Sequence, residues 1–335
     1  GKESAAGGRF PALGDDRVAP LDLAGPPPLR LVAKTEVPQR TLRASTVLYG
    51  LGLHSGARTG MALLPLPPDS GIHVVTLPTR THVPVHVDSV ADTDYATTLA
   101  VEGQSIRTVE HLLSALHALG VDDVRVEVDG PEIPIMDGSA APFVILIHEA
   151  GLRPLAVSRR YLKVLKPVEV VRGGKWTRLS PADHFTVTYT IGFDHPLLRH
   201  QAFSVRVAPH IFATDVAPAR TFGFLREVET LRRAGLALGG SLENAVVIGE
   251  TGVLNSNLRF EDEFVRHKIL DAIGDLALLG HPLVGHLEAE KAGHAVHTAL
   301  ARKLLATPEA WTLAAFPSLP AFDLPQAGSL AIEPA

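Results

Sequence analysis

A chain of 335 residues, 46% hydrophobic and 20% charged, has the length of two compact domains and is too apolar to be disordered throughout. Its net charge of -5 gives no pull toward nucleic acid or anionic membranes. The absence of cysteine beside 16 histidines excludes disulfides, zinc ribbons, iron–sulfur clusters and a thiol nucleophile, so any metal here is held by imidazole and carboxylate.

Residues 1–36 contain Gly7-Gly8, Gly14-Asp15-Asp16 and Gly25-Pro26-Pro27-Pro28. They show neither helical periodicity nor the basic start and apolar run of a targeting segment, and read as a disordered extension. Period-2 alternation predicts strands over 42–49 and 124–128. Between them, Val109, Leu112, Leu113, Leu116 and Leu119 have helical spacing, which predicts a helix over 108–119 with Thr108 as N-cap and Gly120 as its stop. A second helix is expected after Asp137-Gly138-Ser139, capped by Ser139 and carrying Pro142 in its first turn, up to Ala150-Gly151. Arg153-Pro154 marks the approach to a boundary. Further strands are predicted over 161–171 and 185–191, and a helix over 263–279 ending at Gly280. The two long helices read HLLSALHALG and HKILDAIGDLALLG, a short likeness that suggests two similar units with these helices at a shared interface. The end, 316–335, is rich in Pro and turn residues and reads as a loose tail. No run of 18 apolar residues occurs, so no stable membrane insertion is expected.

The strongest local constellation is His267-Lys268-Ile269-Leu270-Asp271. Residues four apart share a helix face, so His267 and Asp271 can hold one ion together, with Asp275 one turn further on. The same spacing also fits a surface His–Asp pair that merely supports the helix. Glu110-His111 offers a general base beside a metal ligand, although an acid in a helix's first turn is favoured by the macrodipole alone. His54 and the histidines after Gly280, Gly285 and Gly293, with His297 beyond, read as loop or cap residues among which spacing does not choose. The segment Ala219-Arg220-Thr221-Phe222-Gly223-Phe224 offers a hydroxyl for an oxyanion or a simple turn.

Three stretches, TVEHLLSALHALGVDDVRVEVDGPEIPIMDGSAAPF (108–143), ARTFGF (219–224) and RFEDEFVRHKILDAIGDLALLG (259–280), strongly resemble the UDP-3-O-acyl-N-acetylglucosamine deacetylase family, the zinc amidases of lipid A synthesis. The likeness runs from about Gln39 to about Phe316. It implies an α+β fold of two similar domains, 37–157 and 158–315, each a sheet with two helices, the helices sandwiched between the sheets. It implies zinc ligation by His111, His267 and Asp271, a donor set that also accepts Fe(II). A metal-activated water would attack the N-acetyl amide, with Glu110 as base, His294 as oxyanion stabiliser and acid, Asp275 as the carboxylate that orients His294, and Thr221 as a further oxyanion donor. Lys268, Phe222 and Lys291 fall where the family contacts sugar and diphosphate. The stretch 225–247 corresponds to an insert that forms an acyl-chain passage, with Leu53, Leu225, Val228 and Leu242 as its lining. The implied partner is a UDP-linked acylated amino sugar rather than nucleic acid, with a cytoplasmic location; no exposed apolar repeat or coiled-coil pattern occurs in the sequence, so a monomer is expected.

Thr98 stands near a place where some members carry Cys, and Asp94-Tyr95 where apolar residues are common. Two other classes keep part of this set. A zinc amidohydrolase of peptides would need His111, His267, Asp271 and Glu110 but not the insert or the sugar-side residues. A silent nucleotide-sugar or lipid binder would need no intact acid and base.

Overall fold

The computed structural model describes residues 36–255 and 257–316. The expected extension and tail, apart from Glu36 and Phe316, lie outside the described residues. The fold is α+β. Its helices are α1 (Glu110–Leu119), α2 (Ala141–Ala150), the single turn α3 (Pro209–Ile211), α4 (Leu225–Arg233), α5 (Glu263–Leu276) and α6 (His294–Leu305).

One strand order occurs twice. In the first half, strands Thr46–Leu51, Arg58–Pro65, Val124–Asp129, Ile72–Leu77 and Thr81–Pro84 lie side by side. Only the third and fourth of these are parallel. In the second half the corresponding order is Val168–Arg172, Lys175–Ser180, Leu283–Glu290, Phe185–Ile191 and Gln201–Arg206, again with only the third and fourth parallel. A parallel pair needs a crossover connection. α1 lies in the first crossover and α5 in the second, while α2 and α6 each follow the central strand of their half. The two helices with similar sequences therefore hold equivalent places in two similarly connected units.

The reason these segments form these elements is visible in their burial. Val124, Val126 and Val128 are fully buried while Arg125 and Glu127 between them pair at 3.2 Å on the other face. α1 buries Leu112, Leu113, Leu116 and Leu119, and α5 buries Ile269, Leu270, Ile273 and Leu276, all within one continuous core. α1 packs along α5, and α6 packs on α5 and on strands Val168–Arg172 and Lys175–Ser180. Gly120 and Gly280 end their helices in the left-handed conformation.

Several expected boundaries are corrected. The strand over 42–49 is two strands in different sheets, Pro38–Leu42 paired with Leu152–Ser158 and Thr46–Leu51 paired with Arg58–Pro65. The strand over 161–171 is likewise two, Tyr161–Val164 and Val168–Arg172, interrupted at Pro167, which has no N–H to give a ladder. Thr108 does not cap α1: it is left-handed, with φ 60°, and its Oγ1 donates to Glu132 Oε1 at 2.6 Å, leaving Val109 at the cap position. Ser139 precedes the cap of α2 by one residue, although its Oγ still accepts from the Ala141 N–H at 3.1 Å. The helix expected over 263–279 is α5 followed by a 3-10 turn, Ala277–Leu279. Among the described residues, no helix is long and apolar enough to cross a membrane.

Candidate metal centre and acid–base cluster

α5 supplies His267, Asp271 and Asp275 at successive turns of one face, and the first turn of α1 brings Glu110 and His111 against them. All five are buried. His111 Nε2 and His267 Nε2 lie 3.5 and 3.3 Å from Asp271 Oδ1, with the two rings edge to face at 4.9 Å. His267 Nδ1 donates to the Ala219 carbonyl at 2.9 Å, which leaves a lone pair on Nε2 in the neutral ring. That lone pair points at an oxygen which itself has no hydrogen-bond partner. His111, His267 and Asp271 thus each offer one ligand atom, all within 4.8 Å of one another. A tetrahedral ion with bonds of about 2.0–2.1 Å separates its ligand atoms by about 3.3–3.4 Å, close to the 3.5 and 3.3 Å at which the two imidazoles stand from Asp271 Oδ1, so the residues fit a metal of that kind. Burial pushes the Asp271 carboxyl up, but the two imidazoles, in their protonated form, outweigh it and hold the group well below its ordinary range. Lys268 Nζ lies 3.8 Å from the other Asp271 oxygen.

The Ala219 carbonyl is held in place from its neighbour. Arg220 Nε and Nη2 donate to the fully buried Glu263 carboxylate at 2.8 and 3.2 Å, and the backbone N–H groups of Arg220 and Arg259 add to it. Thr221, next in line, donates its N–H to the Gly138 carbonyl at 2.8 Å. Gly138 is left-handed, and a Cβ built on it would lie 2.1 Å from the Asn244 carbonyl oxygen, so only glycine fits that crossing. Phe222 stacks edge-on against Phe193 and Phe264.

A second cluster adjoins the first. His294 opens α6, and its Nδ1 donates to Asp275 Oδ2 at 2.7 Å while its Nε2 faces Glu110 Oε1 at 3.6 Å. Asp275 Oδ2 also accepts from His297 Nδ1 at 2.9 Å, and Oδ1 accepts from Thr97 Oγ1 at 2.6 Å. The Thr97 N–H donates to Glu110 Oε2 at 3.2 Å. Burial would raise Asp275, but His294 and His297 hold it down to about 2. Burial would lower His294, but Asp275 and Glu110 carry it up to about 9. Glu110 is raised by burial against the pull of His294 and His111. The cluster therefore offers a buried carboxylate of raised basicity beside a cationic imidazole, the pair that general base and general acid catalysis needs.

The remaining sequence-predicted residues stand around this centre at different levels. Lys291 is exposed, left-handed at φ 52°, and lies just before α6. The insert is α4 followed by a loop, held between two short strands, Phe222–Phe224 and Val246–Ile248, that pair with each other. Its loop docks on the segment carrying Leu53, with the Gly239 N–H donating to the Leu53 carbonyl at 2.9 Å and the Leu238 N–H to that of His54 at 3.2 Å. Leu225, Leu238 and Leu242 are exposed there, as is Leu51, and Val228 is half-buried. The segment itself hangs on the fully buried Glu132, whose carboxylate accepts from the backbone of His54 and Ser55 and from Thr108 Oγ1. Sequence reasoning missed Thr97, Glu132, Glu263 and His297 as members of this architecture. His297 was visible only as the i+3 neighbour of His294, and Thr97 as the neighbour of Thr98.

The profile of the LpxC family, described as UDP-3-O-acyl N-acetylglycosamine deacetylase, matches residues 39–306. Similar relatives include the UDP-3-O-acyl-N-acetylglucosamine deacetylase of Anaeromyxobacter sp. (strain Fw109-5), 54% identical over 271 residues that cover 81% of this chain and 89% of the relative. The protein of the same name from Myxococcus xanthus is 50% identical over 278 residues, 82% of this chain and 88% of the relative. That of Syntrophotalea carbinolica is 48% identical over 278 residues, 82% and 90% respectively.

Proposed function

The chain belongs to the UDP-3-O-acyl N-acetylglycosamine deacetylase family, a family of hydrolases, and on that premise we propose that it hydrolyses the N-acetyl group of a UDP-3-O-(3-hydroxyacyl)-N-acetylglucosamine, giving acetate and the free 2-amine, the committed step of lipid A synthesis. The observation that carries this reading is the convergence of His111 Nε2 and His267 Nε2 on the partnerless Asp271 Oδ1, directly beside the Glu110–His294 pair. In it, His111, His267 and Asp271 hold zinc, or Fe(II) in its place. Bound there, the metal supplies Lewis acidity toward the amide carbonyl and toward an attacking water.

The chain's own groups do the rest. Glu110, raised by burial, takes the proton from the water, and its Oε2 is kept in line by the Thr97 N–H. His294, kept cationic by Asp275, donates from Nε2 to the developing oxyanion and then to the leaving amine. Thr221 adds its hydroxyl to the oxyanion. Lys268, Phe222 and Lys291 receive the sugar and diphosphate. Leu53, Leu225, Val228 and Leu242 receive the acyl chain, a role supported by the exposed leucines where the insert meets the loop around Leu53. The reading takes 37–157 and 158–315 as two units meeting at α1 and α5, working as a cytoplasmic monomer.

The test is acetate release from the 3-O-acylated UDP-N-acetylglucosamine set against unacylated UDP-N-acetylglucosamine. Strong preference for the acylated substrate supports the reading. Equal rates on both, or hydrolysis of unrelated peptide amides instead, overturn it.

A further inference from the structure

Asp275 is surrounded by more donors than an orienting carboxylate for His294 requires. Its Oδ2 takes two imidazole N–H groups, His294 Nδ1 at 2.7 Å and His297 Nδ1 at 2.9 Å, and its Oδ1 takes Thr97 Oγ1. His294 and His297 sit three apart in the first turn of α6, on the same face, with rings nearly perpendicular at 89°. Behind His297, its Nε2 lies 2.8 Å from the hydroxyl of Tyr189, whose ring stands edge-on to the imidazole at 5.7 Å. Tyr189 and Asp275 are 0% exposed and His297 is 1% exposed.

The chemistry fixes every proton along this line. An ionised carboxylate only accepts, so both imidazoles must carry hydrogen on Nδ1. Burial keeps His297 neutral, so its Nε2 is a lone pair and the Tyr189 O–H must donate to it. The sequence of donation therefore runs from Tyr189 to His297 to Asp275, and Tyr189 is anchored in strand Phe185–Ile191 of the second sheet. Three elements, that strand, α5 and α6, are tied at one carboxylate. With His297's donor deleted, one lone pair of a buried carboxylate is freed and Asp275 can turn about its side chain. His294 would then lose the partner that aims its Nε2 at Glu110.

We propose that Tyr189 and His297 are positioning residues that lock the carboxylate of Asp275 and thereby set the direction of the His294 imidazole. The proposal rests on the reading of His294 as the acid of the deacetylation, and its test includes a readout that does not depend on turnover. Three variants are compared with the parent chain: Tyr189→Phe, His297→Leu and His297→Asn. The Asn amide nitrogen occupies the place of His Nδ1 and can donate to Asp275 in its stead. Each is measured for thermal stability, for the downfield proton NMR resonance of His294 Nδ1–H, and for kcat and KM in acetate release.

The expected result is that His297→Leu and Tyr189→Phe shift or broaden the His294 resonance. Both should lower kcat about 10–100-fold with KM little changed, the scale found for hydrogen-bond partners that orient metal-binding side chains. His297→Asn should bring the resonance and kcat back from the His297→Leu level to that of Tyr189→Phe, because it regains the donor to Asp275 while Tyr189 loses its acceptor. A His294 resonance unchanged in Tyr189→Phe and His297→Leu overturns the proposal. So does a His297→Asn protein as impaired as His297→Leu, since packing rather than donation would then be what matters. Tyr189→Phe keeps the ring and deletes only the hydroxyl, so it decides the question if His297→Leu fails to fold. If the parent chain releases no acetate, the deacetylase reading fails while the resonance still tests the lock.

Discussion

Gly274 of α5 faces the backbone of Glu110 so closely that a Cβ built on it would lie 2.0 Å from the Glu110 carbonyl oxygen and 3.0 Å from its Cα. This crossing brings the first turn of α1 within reach of His267 and Asp271, and the obstacle is backbone, which cannot swing aside as a side chain does. Gly274→Ala should therefore force the helices apart at a cost of about 1–3 kcal/mol, and it should lose both metal affinity and activity although every proposed ligand remains. Metal titration with a thermal melt checks this. Full metal affinity in the alanine variant would show that the crossing has slack.

His294 owes its charge to Asp275. Burial is the largest influence on the imidazole and lowers it, and Asp275, followed by Glu110, lifts it to about 9. The cation should persist through neutral pH and be lost as pH rises through the folded value. Replacing Asp275 with Asn removes the leading support, so the alkaline limb of the rate profile should move to lower pH and kcat at neutral pH should fall about 10–100-fold. An unmoved alkaline limb in Asp275→Asn would mean that another group sets it.

A buried carboxylate away from the centre should leave a mark on stability. Asp123 is 1% exposed, its Oδ2 has no partner, and burial raises it to about 7 against the opposing hydrogen bond from the Gly71 N–H. Because the folded value lies above the unfolded one, its contribution is fully present below about pH 4 and is lost as pH rises through about 7, with a slope of at most about 1.4 kcal/mol per pH unit. Asp123→Asn should remove that slope. Melting curves of both proteins between pH 4 and 8 should diverge at the upper end, with the variant the more stable; parallel curves would refute the assignment.

The ion pair behind His267 makes a different prediction. Glu263 is fully buried and takes Arg220 Nε at 2.8 Å. Arg220→Met would leave that charge without its cation, a loss of about 3–5 kcal/mol for a buried pair broken on one side. It should also loosen the Ala219 carbonyl that holds the tautomer of His267. The double variant Arg220→Met with Glu263→Leu should recover much of the stability. A double variant no better than the single one would place the effect elsewhere.

Much of the site could be read from spacing within one helix. His267, Asp271 and Asp275 recur every four residues, and the apolar positions of α5 between them are all core. The meeting of α5 with Glu110 and His111 was not visible that way, because it depends on a glycine contact between segments far apart in sequence; the family resemblance implied the ligand set instead. Backbone contributors leave no side-chain signal at all, which is why the Ala219 carbonyl and the Thr97 N–H escaped notice. Thr108 was misread because a threonine ahead of a helix ordinarily caps it, whereas here the buried Glu132 draws its hydroxyl away and the backbone turns left-handed. The strand over 161–171 was read across Pro167 because alternation continues on both sides of it, though the two parts pair with different neighbours.

If His111, His267 and Asp271 hold an ion without which no deacetylation occurs, acetate release must follow the metal content of the protein. The most direct measurement is acetate release from the 3-O-acylated substrate by one preparation before chelation, after chelation, and after adding back zinc, with metal content determined at each step. Activity should disappear with the metal, return as one equivalent is bound, and stay absent in His267→Ala. Undiminished acetate release from metal-free protein would contradict it.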